Sequence, residues 1–243
     1  MIRQGRGEAI ILLHGWGMNS IVFNRFSAEL AKTREVIRVE LPGYGASVWD
    51  ETLTFSQQVE QIVAELPEGE ILGWSMGGLY AVEMLRQQPQ QFSRLLLVCF
   101  NPCFVRRTDW HCAVESTRFD QFATSLTQSW EATVRHFLSL QLYANLHARR
   151  LVRELMADLQ QVGRPDPAAL KFGLELLKQQ DVRPLLSTLD TPIQLILGRR
   201  DRLVPESLAK EIRHVNPKIK VELLATAAHM PFLSDTAHFL TML

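Results

Sequence analysis

Apolar positions divide the chain into short uninterrupted runs and longer stretches with helical spacing. Residues 9–13 (Ala-Ile-Ile-Leu-Leu) and 95–100 (Leu-Leu-Leu-Val-Cys-Phe) contain no charged residue. Runs of this kind are typical of strands buried on both faces of a parallel sheet. Shorter apolar runs predict further strands at residues 36–41, 70–72, 193–198 and 220–224.

The stretches between these strands have the spacing of amphipathic helices. Phe55, Val59 and Ile62 lie on one face of a predicted helix over residues 54–66. Other helices are predicted over residues 20–32, 206–214 and 232–243, and one begins at residue 76. Repeated strand–helix alternation implies right-handed crossovers, so the fold class is α/β with a mostly parallel, doubly wound sheet.

The alternation stops between residues 105 and 181. Phe119, Phe122 and Leu126 repeat at helical spacing, and similar repeats predict helices around residues 130–138, 151–159 and 170–178. We therefore predict an α/β core from residues 1–104 and 182–243, with an inserted all-helical cap at 105–181. Such a cap would cover the carboxyl ends of the strands, where open α/β sheets bind ligands.

Composition narrows the classes of protein without selecting one. The 243 residues carry a formal net charge of zero, which gives no general attraction to nucleic acid or to an anionic membrane. No run of 18 apolar residues occurs, and the first eight residues lack the apolar core of a signal peptide. We expect no membrane or nucleic-acid partner.

The three cysteines, Cys99, Cys103 and Cys112, are odd in number and lack the spacing of metal ligands. Reduced thiols and a cytoplasmic location are the simpler interpretation. Cys103 is a weak alternative nucleophile, because no strand–turn–helix pattern surrounds it.

Residues 73–77, Gly-Trp-Ser-Met-Gly, lie between a predicted strand and a predicted helix. In that context Gly-x-Ser-x-Gly is a nucleophile elbow, which exposes the Ser75 hydroxyl above the sheet. The glycines allow the strand and the helix to approach closely around the serine. The alternative is that Ser75 is an ordinary helix N-cap.

A serine hydroxyl needs a nearby base to take its proton. The chain order serine, acid, histidine of α/β hydrolases leaves His229 and His238 as candidates. We favour His229, because a loop at a strand end can direct its imidazole across the edge of the sheet.

The acid should hold the imidazole and stabilise its charged form. Asp201 follows the predicted strand 193–198 and so lies at the catalytic edge, although aspartate is also common in turns. Asp190 precedes that strand and lies at the opposite edge, and Glu206 is assigned to the next helix. The predicted triad is therefore Ser75, Asp201 and His229.

Acyl transfer also needs hydrogen-bond donors for the oxyanion. The backbone N–H of Met76, directly after the nucleophile, is one expected donor. The other comes from the loop at residues 14–17, where we predict the Trp16 N–H. Neither a metal nor an organic cofactor is expected. A serine at the elbow also argues against the dehalogenase branch of this architecture, which has an aspartate there.

With these residues in place, the whole chain resembles the α/β-hydrolase superfamily. More closely, it resembles the pimeloyl-[acyl-carrier protein] methyl ester esterases of biotin synthesis. The shared segments are residues 13–19 (Leu-His-Gly-Trp-Gly-Met-Asn), 41–45 (Leu-Pro-Gly-Tyr-Gly), 73–79, 102–104, 137–141, 173–178 and 227–232 (Ala-Ala-His-Met-Pro-Phe). Matches within the cap carry the most weight, because caps diverge fastest with substrate.

The resemblance implies hydrolysis of the methyl ester on pimeloyl-acyl carrier protein, with release of methanol. It also implies a set of residues that line the acyl site: Trp16, Ser75, Met76, Phe137, Leu138, Ser139, Leu140, Gln141 and His229. The implied partner is the acyl carrier protein, and small esters are expected substrates in vitro.

The cap contains a cluster of basic residues. Between residues 130 and 153 there are four arginines and one acidic residue, Glu131. In a helical projection Arg149, Arg150 and Arg153 lie opposite an apolar face. A basic face suits an acidic partner such as acyl carrier protein, and a solvated helix surface is the alternative.

The resemblance matches Arg149 and Arg153 to carrier-docking positions. Ala132 and His136 occupy two other positions at which the resembling esterases are basic. The expected oligomeric state is a monomer.

Two rival functions remain open at this point. One is another capped hydrolase, acting on a different ester, a thioester or a carbon–carbon bond. The other is a binding protein that uses a hydrolase pocket as a receptor, which the complete set of catalytic residue types disfavours.

Overall fold

Seven strands form one sheet in the computed structural model, which describes residues 1–143 and 145–243 and only the backbone of residue 127. The strands are β1 (Ile2–Gln4), β2 (Ala9–Leu13), β3 (Glu35–Val39), β4 (Gly69–Trp74), β5 (Phe92–Val98), β6 (Ile193–Gly198) and β7 (Lys220–Leu224). Their spatial order is β1-β3-β2-β4-β5-β6-β7, and all neighbours are parallel except β1 and β3. This confirms the predicted α/β class.

The central strands are apolar on both faces because both faces are covered. Ile11 and Leu13 of β2 pack into one hydrophobic cluster, and Ile10 and Leu12 pack into a second on the opposite face. Successive side chains of a strand point to opposite sides, so an uninterrupted apolar run serves both clusters.

The helices before the cap follow the predicted positions, with small differences at their ends. They are α1 (Asn24–Leu30), α2 (Phe55–Ala64) and α3 (Gly77–Gln87), and a 3-10 turn at Ser20–Phe23 precedes α1. The helix predicted over residues 20–32 is therefore a turn followed by a shorter helix. The first strand, β1, was not predicted.

Between β5 and β6 the chain forms α4 (Ser116–Gln128), α5 (Trp130–Gln141), α6 (Ala148–Val162), α7 (Pro167–Gln179) and α8 (Arg183–Thr188). The first four lie where helical spacing predicted them, and α8 was not predicted. We use the word cap for α4–α7. The exact division at residues 105 and 181 stays a prediction.

The C-terminal part contains α9 (Leu208–Val215), α10 (Pro231–Ser234) and α11 (Thr236–Leu240). The single closing helix predicted over residues 232–243 is wrong. The chain breaks at Asp235, whose side chain accepts a hydrogen bond from the His238 N–H at 3.2 Å and so begins a new helix.

The cap joins both hydrophobic clusters. Leu170 and Leu176 of α7 belong to the first cluster, whereas Leu138 of α5 and Leu155 of α6 belong to the second. The cap therefore spans the carboxyl edge of the sheet from one face to the other.

Hydrogen bonds also attach the cap and its flanks to the core. One joins two side chains, from Arg25 Nη2 on α1 to Glu154 Oε2 on α6 at 2.8 Å, and four others use at least one backbone group. Three join backbone groups: Asp166 N–H to Gly43 O at 2.8 Å, Val182 N–H to Pro102 O at 2.9 Å, and His229 N–H to Gln141 O at 3.0 Å. In the fourth, the Trp16 indole donates to Leu170 O at 2.9 Å. None of the helices in the described part of the chain has both the length and the apolar composition that a transmembrane helix needs.

Candidate active site

Ser75 occupies the turn between β4 and α3. Its φ of 52° lies in the left-handed region, which is unusual for a residue with a side chain. The surrounding backbone holds this conformation, because Ser75 N–H donates to Val98 O at 3.0 Å and Gly78 N–H donates to Ser75 O at 2.9 Å. The geometry is that of the predicted elbow rather than of an ordinary N-cap.

The elbow requires glycine on both sides of Ser75. A Cβ on Gly73 would lie 2.6 Å from the Cα of Gly78, and a Cβ on Gly77 would lie 2.3 Å from the carbonyl oxygen of Leu13. Both distances are far below van der Waals contact, and the opposing atoms belong to the backbone. The motif thus reflects close packing of β4, α3 and β2.

His229 and Asp201 form a buried pair. His229 Nδ1 lies 2.7 Å from Asp201 Oδ2, and both side chains are almost fully buried. The other carboxylate oxygen, Oδ1, accepts the N–H groups of Leu203 at 2.8 Å and Val204 at 3.0 Å. The two backbone N–H groups hold the Asp201 carboxylate as an acceptor, so the 2.7 Å contact assigns the proton of that hydrogen bond to Nδ1 of His229.

The second ring nitrogen of His229, Nε2, makes no hydrogen bond in the described residues. Nε2 is buried, and His229 and Ser75 line the same cavity. The hydrogen bond between Ser75 and His229 is therefore not formed in this structure. In a neutral ring with its proton on Nδ1, Nε2 carries the lone pair that can accept the serine proton.

Cys99 lies beside this pair, a contact that the sequence did not indicate. Potential ligand atoms of Cys99, Asp201 and His229 lie within 4.8 Å of one another. Burial, followed by the nearby charge of Asp201, raises the pKa of the Cys99 thiol well above its usual range. Cys99 is therefore a protonated thiol, and Asp201 and His229 are hydrogen-bonded to each other. These three groups are a poor set of ligands for a metal ion.

The predicted oxyanion donors are the backbone N–H groups of Met76, at the start of α3, and of Trp16, in the loop after β2. Met76 is the N-cap residue of α3, where the backbone N–H groups have no helical partner. Within residues 1–143 and 145–243, neither Met76 N–H nor Trp16 N–H makes a hydrogen bond. Both groups are therefore available to a ligand at Ser75.

His14 holds the Trp16 loop in place. Its Nε2 accepts the Leu41 N–H at 3.1 Å, and its Nδ1 lies 2.9 Å from Gly15 O. The ring is fully buried, and burial lowers its pKa, with an opposing contribution from Glu40. His14 is thus a neutral ring that ties the loop to the end of β3, rather than a catalytic base.

A cavity of about 630 Å³ opens at Ser75 and His229. One wall is aromatic: the ring centroids of Trp16, Phe122 and Phe137 are separated by 5.1 to 5.7 Å. The remaining apolar lining includes Phe119, Leu140, Leu174 and Leu177. Exposed polar side chains at the same cavity are Arg106, His111, Glu115, Arg118, Arg202 and Ser207.

The segment 137–141 divides according to the helical period. Phe137 and Leu140 line the cavity, but Leu138 packs into the second hydrophobic cluster. The Ser139 hydroxyl donates a hydrogen bond to the backbone oxygen of Arg135 at 2.8 Å. Gln141 is buried, and its backbone oxygen accepts the hydrogen bond from the His229 N–H. The structure thus brings two of these five residues to the cavity.

Sequence reasoning missed several residues at this site. Phe119 and Phe122 were identified only as helix positions, since their spacing does not say which side faces the active site. Arg202 was also missed; its guanidinium lies 3.3 Å from the ring centroid of Tyr143, beside the cavity. Trp74, whose indole contacts the His229 backbone, had no signal beyond its place in the motif.

The predicted docking residues lie on α6. Arg149 and Arg153 are exposed and make no ion pair in the described part of the protein. Arg150, by contrast, lies 3.6 Å from Glu154, which also binds Arg25 at 2.8 Å. Two of the three arginines therefore keep their charge free for a partner.

A family model described as "alpha/beta hydrolase fold" matches residues 8–236. A pimeloyl-[acyl-carrier protein] methyl ester esterase from Xylella fastidiosa (strain M12) is 39% identical over 233 residues, covering 95% of this chain and 91% of the relative. A protein of the same name from Nitrosomonas europaea is 32% identical over 239 residues, covering 98% and 94%.

Solved structures agree on the fold. An esterase from Exiguobacterium antarcticum superposes with a TM-score of 0.89 at 20% identity, covering 99% of this chain and 92% of that one. A bromoperoxidase from Bacillus anthracis superposes with a TM-score of 0.88 at 18% identity, and it also covers 99% of this chain and 92% of its own. At these identities the similarity establishes the architecture alone.

Proposed function

This chain belongs to the α/β-hydrolase fold family and, within it, to the pimeloyl-[acyl-carrier protein] methyl ester esterases; from that premise we propose that it hydrolyses the methyl ester of pimeloyl-acyl carrier protein in biotin synthesis. The products are pimeloyl-acyl carrier protein and methanol. The observation that carries the chemistry is the buried His229–Asp201 pair, 2.7 Å apart, beside a serine in a left-handed turn.

In the proposed mechanism Ser75 is the nucleophile and His229 is the general base. His229 Nε2 takes the hydroxyl proton as Ser75 Oγ attacks the ester carbonyl. The tetrahedral intermediate collapses, the bond to the methoxy group breaks, and methanol leaves with the proton from His229. Water, deprotonated by His229, then attacks the acyl-enzyme and restores Ser75. Asp201 keeps the ring oriented and stabilises its charged form.

We propose Trp16 N–H and Met76 N–H as the oxyanion donors. Their lack of partners in the described residues supports this role, as does the position of Met76 at the start of α3. Loss of one donor of this kind typically costs about 3 kcal/mol of transition-state stabilisation.

The cavity is suited to an acyl chain that remains attached to a carrier. Phenylalanine and leucine side chains surround the space above Ser75, while the exposed arginines lie toward solvent. An apolar chain would therefore occupy the inner part, and the polar arm of the carrier would leave past the charged residues. Of the residues implied by resemblance, Trp16, Ser75, Phe137, Leu140 and His229 are retained as lining this cavity.

The proposed carrier contact is the basic face of α6. Acyl carrier protein is acidic, and Arg149 and Arg153 are exposed cations that form no ion pair in the described part. Complementary charge of this kind mainly speeds association and fixes orientation. Because one chain supplies every residue of the proposed site, we infer that a monomer suffices.

We also propose a cytoplasmic location. The three cysteines are free and buried, as expected for a protein that folds in a reducing compartment.

The direct test is incubation of the purified chain with pimeloyl-acyl carrier protein methyl ester, with methanol and the mass of the carrier as readouts. The wild type should release methanol, and Ser75→Ala should lower kcat by at least about 10⁴-fold while keeping its circular dichroism spectrum. Substantial turnover by Ser75→Ala would move the nucleophile elsewhere.

A panel of p-nitrophenyl esters, acyl thioesters and diketones separates the rival functions. A chain that cleaves one of these but leaves the carrier-bound methyl ester intact would be a different capped hydrolase. A chain whose Ser75 is not labelled by a fluorophosphonate would be a binding protein. Rescue of a biotin-requiring strain that lacks its own esterase gives the corresponding test in cells.

A further inference from the structure

The backbone around His229 is held by four separate parts of the molecule. Ala227 O accepts the Arg200 N–H at 2.9 Å, and Ala228 O lies 3.5 Å from the Cys99 thiol. His229 O accepts the indole N–H of Trp74 at 2.8 Å, and His229 N–H donates to Gln141 O in the cap at 3.0 Å. Both backbone polar groups of the proposed base are therefore occupied.

From this arrangement we propose that Trp74 is a positioning residue for His229. The inference rests on the proposed function, in which His229 is the base. Trp74 directly precedes Ser75 at the end of β4, so one short segment carries the nucleophile and also fixes the backbone of the base. The indole is fully buried, with its ring centroid 5.8 Å from the imidazole centroid.

The hydrogen bond acts on the direction of Nε2. Asp201 fixes one side of the imidazole through Nδ1, at 2.7 Å. The remaining freedom of the ring depends on where the His229 backbone lies, and Trp74 Nε1 and Gln141 O set that position. Misplacement of a catalytic group by about 1 Å can lower a rate by about 100-fold.

Neighbouring contacts limit how far Trp74 can move. Its ring centroid lies 5.3 Å from that of Phe232 and 6.4 Å from that of Phe23. A Cβ on Gly15 would lie 3.1 Å from the indole, so the same side chain also supports the loop that precedes Trp16. The aromatic packing makes Trp74 a rigid donor.

Two substitutions separate the hydrogen bond from the packing. Trp74→Phe keeps most of the aromatic volume and removes the donor. Trp74→His loses more volume, but its five-membered ring can overlay the pyrrole ring of the indole, which places Nε2–H at the position of Nε1. We expect kcat to fall by about 10- to 100-fold in Trp74→Phe with KM nearly unchanged, and to recover in Trp74→His.

Thermal stability should be lower in Trp74→His than in Trp74→Phe, which is the opposite of the order expected for kcat. The histidine variant leaves the larger cavity and a more polar buried ring. Activity that is higher in Trp74→His and thermal stability that is higher in Trp74→Phe would support positioning. Equal loss of kcat in both variants, or a loss that follows stability, would overturn it and leave Trp74 as a packing residue.

Trp110→Phe is the matched control. The Trp110 indole is also buried and also donates one hydrogen bond, to Asn101 Oδ1 at 3.0 Å, but none of its contacts among the described residues involves the triad. Its removal should lower stability without changing kcat. A similar fall in kcat would show that any lost indole bond slows the enzyme.

The rate at which a fluorophosphonate labels Ser75 gives a readout that does not depend on the natural substrate. If the wild type labels quickly and cleaves p-nitrophenyl acetate but not the carrier ester, the substrate assignment fails and the Trp74 comparison still holds. If the carrier ester is cleaved and Trp74→Phe labels as fast as the wild type, the positioning role alone fails.

Discussion

The sheet edge and the cap meet at one cavity but are built in different ways. At the sheet edge, backbone groups and glycines fix the site: the Ser75 turn is bonded to β5, and Gly77 lies against the backbone of β2. In the cap, side chains at helical spacing do most of the packing, and few hydrogen bonds reach the core. The edge therefore tolerates little change, whereas the cap can vary in the residues that it presents.

The same substitution in the two regions should have different effects, and the larger one is expected at the edge. Gly77→Ala would place a Cβ 2.3 Å from Leu13 O, which belongs to a central strand and cannot move aside. We expect destabilisation of about 3 kcal/mol or more, or failure to fold, measured by urea unfolding. A variant with wild-type stability would contradict a rigid edge.

Gly173→Ala in α7 is the matching change in the cap. Its Cβ would lie 2.8 Å from Trp16 Cδ1 and 2.9 Å from Met76 Sδ, which are side-chain atoms that can shift. Alanine also favours a helix over glycine by about 1 kcal/mol, so stability should change little.

Displacement of Trp16 and Met76 should disturb the proposed oxyanion donors in Gly173→Ala. We expect kcat to fall by about 10-fold for carrier-bound and small esters alike, within the range for weakening one donor. An unchanged kcat would mean that the two side chains move without their backbone N–H groups.

Charge reversal on α6 should affect one substrate only. Arg149→Glu with Arg153→Glu removes two free cations from the proposed docking face, and we expect kcat/KM for the carrier-bound ester to fall by about 10-fold at low salt. Turnover of p-nitrophenyl acetate should be unchanged, and the difference should shrink in high salt.

Lys210→Glu with Arg213→Glu is the control for that pair. Both residues are exposed on α9, and the variant changes the net charge by the same amount. An equal loss with the control pair would attribute the effect to overall charge and not to a docking face.

The smallest expected effect is a change in the pH dependence of the free energy of unfolding when His14 is replaced. Burial lowers its pKa, so the folded protein keeps His14 neutral while the unfolded chain takes up a proton near pH 6.5. The stabilisation is complete above that pH and is lost as the pH falls toward the folded-state pKa.

His14→Gln retains an acceptor for the Leu41 N–H but cannot titrate. Its free energy of unfolding should therefore depend less steeply on pH between about 7 and 5, by at most about 1.4 kcal/mol per pH unit for one proton. Urea unfolding at several pH values measures the slopes. Parallel slopes for both proteins would show that His14 does not contribute.

The difference between the regions also explains what could be predicted from sequence. Strands β6 and β7 coincide with their apolar runs, and the order serine, acid, histidine pointed to Asp201 and His229, which the structure brings together. These signals are local and follow from burial and turn chemistry. The three-residue strand β1 is too short for a periodic pattern and depends on pairing with β3.

Other features depend on packing that no local pattern encodes. The break at Asp235 separates two short helices whose apolar content alone suggested one. Leu138 and Leu140 were grouped together by resemblance, but they point to different sides of α5. The role of Trp74 arises from a contact with a residue 155 positions later in the chain.

The attachment of the cap has an evolutionary consequence. Three of the hydrogen bonds that join the cap and its flanks to the core use only backbone groups, at Asp166 and Gly43, Val182 and Pro102, and Gln141 and His229. Almost every residue type supplies the same carbonyl, and every one but proline the same N–H, so these attachments can survive most substitutions on either side. A lineage can therefore exchange the side chains that meet the substrate while the cap stays attached over an unchanged triad.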